Sequence, residues 1–243
     1  MASVISPVFS VQRANDRAFY DHGWLKTYHS FSFAEYHDPA NVHWGALRVF
    51  NDDTVAPGRG FGEHPHRDME IITYVLRGEV EHRDSLGHHG VVAPGGVQYV
   101  SAGTGVRHSE FNHSAEHDVH FVQMWVLPRR TGETPLYGQH SFDAAARHNT
   151  WLTVASGEAG ISAPVTIRQD ATLSVASLAD TGLTYAFAPN RYGFLFVADG
   201  TVEANGETLF AGDGVRIAGV PELRLRGTGE LVLWDVPPVA EEG

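Results

Sequence analysis

The chain has 243 residues, 42% hydrophobic and 19% charged, a composition of ordinary globular proteins and not of disordered or fibrous ones. Its formal charge of −12, from 17 basic and 29 acidic residues, argues against a broad electrostatic footprint for nucleic acid or anionic lipid. Cysteine is absent, which removes disulfides, thiolate metal sites and cysteine nucleophiles, and no apolar run approaches the roughly 18 residues of a membrane helix.

The opening stretch, "MASVISPVFSVQRAND", lacks the basic-then-apolar pattern of a secretory signal, so a cytoplasmic location is expected. The runs that follow are short, β-prone and broken by glycine, proline and asparagine: "WGALRVF", "EIITYVL", "GVQYVSA", "VHFVQMWVL", "YGFLFVA" and "ELVLWDV". This punctuation predicts an all-β sandwich or barrel. The segment "SFDAAARH" is the best candidate for a short helix, with Ser141 as its cap, and it falls where a linker would separate residues 1–140 from 141–243. An internal similarity supports that division, because Leu76 to Gly103 and Ala198 to Gly219 share one order of strands, glycines and turns.

All 15 histidines lie at or before His148. His64 and His66 flank Pro65 at the mouth of a strand, and residues two apart in an extended segment share a face. "SAGTGVRHSEFN" places His108 and Glu110 at the same spacing. Two same-face pairs on two strands suit a borderline divalent metal, whereas calcium and magnesium prefer all-oxygen shells. Glu70 shares the parity of His64 and His66, so spacing alone leaves two carboxylates in play. His88 and His89 read as hairpin-tip decoration, and His113, His117 and His120 as part of a polar connection. His22, His29, His37, His43, His82, His140 and His148 have no partner that spacing identifies.

Gly58-x5-His64-x-His66-x3-Glu70 and Gly105-x2-His108-x3-Asn112 look like the two cupin motifs. More specifically, "HSFSFAEYHDP", "LRVFNDD", "GFGEHPHRDMEIITYVLRGEVEHRDSLG", "SAGTGVRHSEFN" and "IRQDATLSVASL" resemble the pirin family over nearly the whole chain, nearest its bacterial quercetinase-type members. The resemblance implies a bicupin, two jelly-roll-like β-barrel domains packed together, with one divalent transition metal in the N-terminal barrel. Its ligands carry over onto His64, His66, His108 and Glu110. Iron is the first expectation for the metal, with copper, manganese, cobalt, nickel and zinc as the others.

The implied reaction is dioxygenation of quercetin or a related flavonol, using O2 and releasing carbon monoxide, with Glu110 assigned as base. That role carries a tension, because bonding to a cation makes a carboxylate a weaker base. Phe50, Phe61, Tyr74 and Trp125 could supply aromatic walls of a substrate cleft, but such residues more often belong to the core and are not counted as binding residues. The alternative is a pirin-like, metal-dependent regulatory role through protein partners. Gapless offsets from the repeat place Ala186, Ala188, Arg224 and Arg226 where the second barrel would need ligands. The C-terminal barrel is therefore expected to be structural.

Overall fold

A computed structural model describes residues 5–239; the first four residues of the opening stretch lie outside it. The strands of the first half are β1 (Val8–Gln12), β2 (Ala18–Asp21), β3 (Leu25–His29), β4 (Leu47–Val55), β5 (Gly60–His66), β6 (Glu70–Arg77), β7 (Val80–Asp84), β8 (His89–Val92), β9 (Val97–Ser101), β10 (Val106–Asn112), β11 (Val119–Val126) and β12 (Leu136–His140). Those of the second half are β13 (Leu152–Ser156), β14 (Val165–Thr166), β15 (Thr172–Ala186), β16 (Tyr192–Ala204), β17 (Glu207–Phe210), β18 (Gly214–Ala218) and β19 (Glu222–Val236). No α-helix occurs among the described residues, and none of them forms a helix long and apolar enough to cross a membrane.

The first half is a jelly-roll-like sandwich of two sheets. One has the order β12-β9-β6-β11-β4-β3-β2, the other β5-β10-β7-β8. The second half forms one eight-stranded sheet in which β15, β16 and β19 are long and bend at register shifts. Each long strand does the work of two in the first half. β15 stands for β4 and β5, β16 for β6 and β7, and β19 for β10 and β11, with β17 and β18 matching β8 and β9 in their pairings. The internal similarity in the sequence is thus matched strand by strand. Neither half is a closed barrel; both are open sandwiches. β1 hydrogen-bonds to β18, so the chain's first strand belongs to the second half's sheet.

The helix expected at "SFDAAARH" is a four-residue 3-10 turn, Ala144–Arg147. Its cap is Asp143, whose carboxylate accepts from the Ala145 N–H, and not Ser141. Three successive alanines favour a turn, but with no buried side chain to anchor it nothing extends the turn into a helix.

One core spans both halves. Phe31, Phe50, Tyr74 and Met124 from the first half meet Leu173, Phe194, Phe196 and Trp234 from the second. The Phe50 ring lies 4.9 Å from those of both Phe194 and Phe196, and the Trp234 indole N–H points at Met124 Sδ at 3.0 Å. Phe50 and Tyr74 therefore belong to this core and not to a substrate cleft. Because the core is shared, Phe194→Ala should destabilise both halves together, by about 3–5 kcal/mol. Denaturant titration followed by tryptophan fluorescence and by circular dichroism should give one coincident transition; two separated transitions would refute the shared core.

Candidate metal centre and cleft

β5 and β10 pair antiparallel with His64 directly opposite His108. β5 is the edge of its sheet, which is why Pro65, with no N–H to donate, is accommodated between the two histidines. A bulge follows, since His108 pairs with His64 but Glu110 with Phe61. The one extra residue on β5 lets both His64 and Phe61 reach the interior. Gly60 crosses so close to β10 that a Cβ would lie 2.2 Å from the Glu110 carbonyl oxygen, so only glycine fits.

The imidazoles of His64, His66 and His108 converge, with ring centroids 4.5 to 4.8 Å apart and ligand atoms all within 4.8 Å of one another. Glu110 belongs to an adjoining group with His82 and His108 at the same spacing. The His108 Nε2 is buried and makes no hydrogen bond, and the Nδ1 of His64 lies 2.7 Å from the Gly62 carbonyl, leaving its Nε2 for another partner. An orphaned buried nitrogen amid two further imidazoles and a nearby carboxylate suits a divalent transition metal.

Glu110 is held by a row of cross-strand neighbours. Gln98, Thr73, Gln123, Asn51 and His29 pair in succession across β9, β6, β11, β4 and β3. Gln98 Nε2 donates to one carboxylate oxygen at 2.6 Å and Gln123 Nε2 to the other at 2.7 Å. The Trp125 indole N–H donates to Gln123 Oε1, which turns the Gln123 amide toward Glu110. Burial alone would raise the Glu110 pKa, but His108, the Gln123 hydrogen bond and the imidazoles of His82 and His64 bring it below the usual value. Burial, reinforced by the neighbouring imidazoles of His108 and His64, lowers His66 to about 4.

Glu70 takes no part in this cluster. Its carboxylate accepts from the Tyr99 hydroxyl, from Ser101 Oγ at 2.7 Å and from the Arg168 N–H at 2.9 Å. Strand parity does not carry from His64 and His66 to Glu70, because β5 and β6 lie in different sheets, joined by a turn in which Asp68 has a φ of +49°.

Three histidines outside the expected ligand set have defined surroundings in the first half. His120 meets Asp52 at 2.6 Å and lies within β11. His29 lines the cleft. His82 is buried against His108, with Nδ1 to Nδ1 at 3.4 Å, and its Nε2 lies 3.3 Å from Asp84 Oδ2. With His108 donating to His82 and His82 donating to Asp84, every contact is satisfied and His108 Nε2 keeps its lone pair for a metal. Tyr137 stacks on the His82 ring at 4.2 Å, and Asp84 is also held by the His88 ring and by the backbone N–H groups of Leu86 and His88. The signal for His82 and Asp84 was present in "EHRDS", where they share the i, i+2 spacing that marks the other pairs.

The cluster opens into a cleft of about 220 Å³ lined by Phe33, Phe61, Trp125 and Leu25, together with Thr27, His29, Asn51 and Asp53. Of the four aromatic candidates, Phe61 and Trp125 form its walls. Burial lifts the Asp53 carboxyl to about 7, with the Thr27 hydroxyl beside it pulling the other way and Asp52 and Glu110 adding to the rise.

In the second half the in-register counterparts of His64, His66, His108 and Glu110 are Tyr185, Phe187, Leu223 and Leu225. These residues belong to an apolar core. The gapless offsets to Ala186, Ala188, Arg224 and Arg226 miss by one residue, which in a strand exchanges inside for outside.

Two measurements follow from this geometry. His82→Ala should lower metal affinity by about 10- to 100-fold, read as metal content after dialysis against a graded chelator. Asp53 holds more protons folded than unfolded between 3.8 and about 7, so its contribution to stability declines as pH rises through that window. The stability of Asp53→Asn relative to the parent should therefore improve from pH 5 to pH 7 and level off above, by at most about 1.4 kcal/mol per pH unit. A pH-independent difference in thermal melts would contradict this.

The pirin family model matches residues 10–126, and that of the quercetinase C-terminal cupin domain matches residues 153–234. The chain is 45% identical over 218 residues to a pirin-like protein of Caulobacter vibrioides, covering 88% of this chain and 94% of that one. It is 40% identical over 232 residues to quercetin 2,3-dioxygenase of Escherichia coli K12, covering 94% and 99%. Among solved structures, the bacterial pirin YhhW from Escherichia coli in complex with nickel(II) superposes with a TM-score of 0.88 at 39% identity, covering 95% of this chain and 100% of that one. With relatives this similar over nearly their full lengths, two cupin halves and one histidine cluster confined to the first, the chain belongs to the pirin family.

Proposed function

We propose that this protein is a metal-dependent dioxygenase that cleaves quercetin or a related flavonol or enolic aromatic compound with O2, releasing carbon monoxide. One observation carries the reading: three converging imidazoles and Glu110 stand at the inner end of a cleft walled by aromatic side chains. His64, His66, His108 and Glu110 are the proposed ligands. A divalent transition metal there would supply Lewis acidity toward an enolic hydroxyl and an electronic route for reaction with dioxygen. The nickel(II) complex of YhhW supports a divalent ion, and iron remains our first candidate for this chain.

The chain's own residues bind, orient and move a proton. Phe61 and Trp125 flank a planar substrate, with Trp125 also packed edge-on against His66 at 4.9 Å. Glu110 is the carboxylate placed to accept the substrate's hydroxyl proton. Held ionised by His108 and the Gln123 hydrogen bond, it is a weak base, and it becomes a stronger one as that amide hydrogen bond loosens on substrate entry. Leu25, Phe33 and Phe61 limit water in the cleft.

Oxygen uptake and flavonol loss, followed together in metal-loaded and chelator-stripped protein, test the proposal. Turnover should require metal and fall at least 100-fold in Glu110→Ala. Intact metal binding with no uptake under any of iron, copper, manganese, cobalt or nickel would overturn it and favour the partner-binding role.

A further inference from the structure

The cleft contains a polar patch that the metal cluster does not use. On the inner face of β3 and β4, Thr27 pairs with Asp53 and His29 with Asn51, forming a two-by-two block. All four side chains line the cleft, and each residue is only 2–3% exposed. Yet His29 Nδ1, Asn51 Oδ1 and Asp53 Oδ1 make no hydrogen bond, and the Thr27 hydroxyl has only the Asp53 carboxyl beside it. An unsatisfied buried polar group costs about 1–3 kcal/mol, so several on one wall are an arrangement that a ligand would relieve.

The row that holds Glu110 sets the scale. Gln123 reaches Glu110 from β11, while Asn51 and His29 continue the same row on the next two strands. At about 4.8 Å per strand, the patch begins about 5 Å beyond Gln123 and extends to about 10 Å, the span of a fused aromatic ring system. Its free atoms are chiefly acceptors. Asn51 Oδ1 cannot donate, and burial holds His29 well below its usual pKa, at about 4, so its ring is neutral with one acceptor nitrogen.

We propose that Asn51, Asp53 and His29, with Thr27, form a hydroxyl-recognition wall that selects aromatic substrates bearing a phenolic O–H remote from the oxygen presented to His64, His66 and Glu110. The inference rests on the reading of this cleft as the substrate site. A ring bearing only ether or keto oxygens there would leave Asn51 Oδ1 unpaired and be rejected, because the discrimination lies in the unmet group and not in size.

Binding separates this from turnover. Zinc-loaded protein, kept free of O2 so that no turnover can occur, is titrated calorimetrically with quercetin and with 3-hydroxyflavone, which lacks the remote hydroxyls. The parent should bind quercetin at least tenfold more tightly, and both Asn51→Leu and Asp53→Asn should shrink that preference to within threefold. Asp53→Asn keeps the side chain's shape, so it serves as the test if Asn51→Leu fails to fold. Equal affinities in the parent, no binding of either compound, or a preference untouched by a folded variant would overturn the wall. A preference that behaves as expected without turnover by any metal would uphold the wall and sink the dioxygenase reading alone.

Discussion

Pairing of β5 with β10 is the contact on which the rest of the site depends. It sets His64 opposite His108 and, through one bulge, brings Phe61 inward beside them. Four strands, β6 to β9, intervene in the chain between the two partners, so this contact is non-local and exists only once the sandwich has closed. Gly60 shows how tight the crossing is, since any side chain would strike the β10 backbone. The histidine cluster is a consequence of this close approach and not of local sequence alone.

Around that contact the protein arranges polar side chains by cross-strand position. A single row across five strands supplies the two amides on Glu110, and its last two members pass into the unpaired wall of the cleft. Behind His108, the chain from His82 to Asp84 keeps one imidazole nitrogen protonated and leaves the other free. Each of these groups is buried, where an unpaired donor or acceptor is expensive, so their pairing constrains orientation strongly. Such pairing holds the imidazoles in fixed positions beside a small aromatic-walled cleft.

The second half makes the same sandwich with other chemistry inside. Where the first half places histidines and a glutamate, the second places Tyr185, Phe187, Leu223 and Leu225, and its interior is an apolar core. Its sheet contributes Phe194, Phe196 and Trp234 to the core beneath the first half's large sheet. The strands that carry Asn51, Thr73 and Gln123 therefore rest on a packed support. The two halves share their strand pairing and differ in what fills the interior.

Much of this was legible in the residues themselves. Period-two spacing identified His64 with His66 and His108 with Glu110, because side chains two apart on a strand share a face whatever the fold around them. Short β runs with glycine and proline punctuation indicated an all-β chain, and the confinement of histidine to the first 148 residues assigned the chemistry to one half. Spacing left Glu70 and Glu110 both open and only the family resemblance favoured Glu110; the tertiary structure separates them, because they lie in different sheets. It also placed His82 against His108 and Asn51 and Asp53 in the cleft wall, and moved the second half's counterparts by one residue. The reason is physical: alternation along a strand is a local property, whereas which strands adjoin, and in which register, is set by packing across the whole domain.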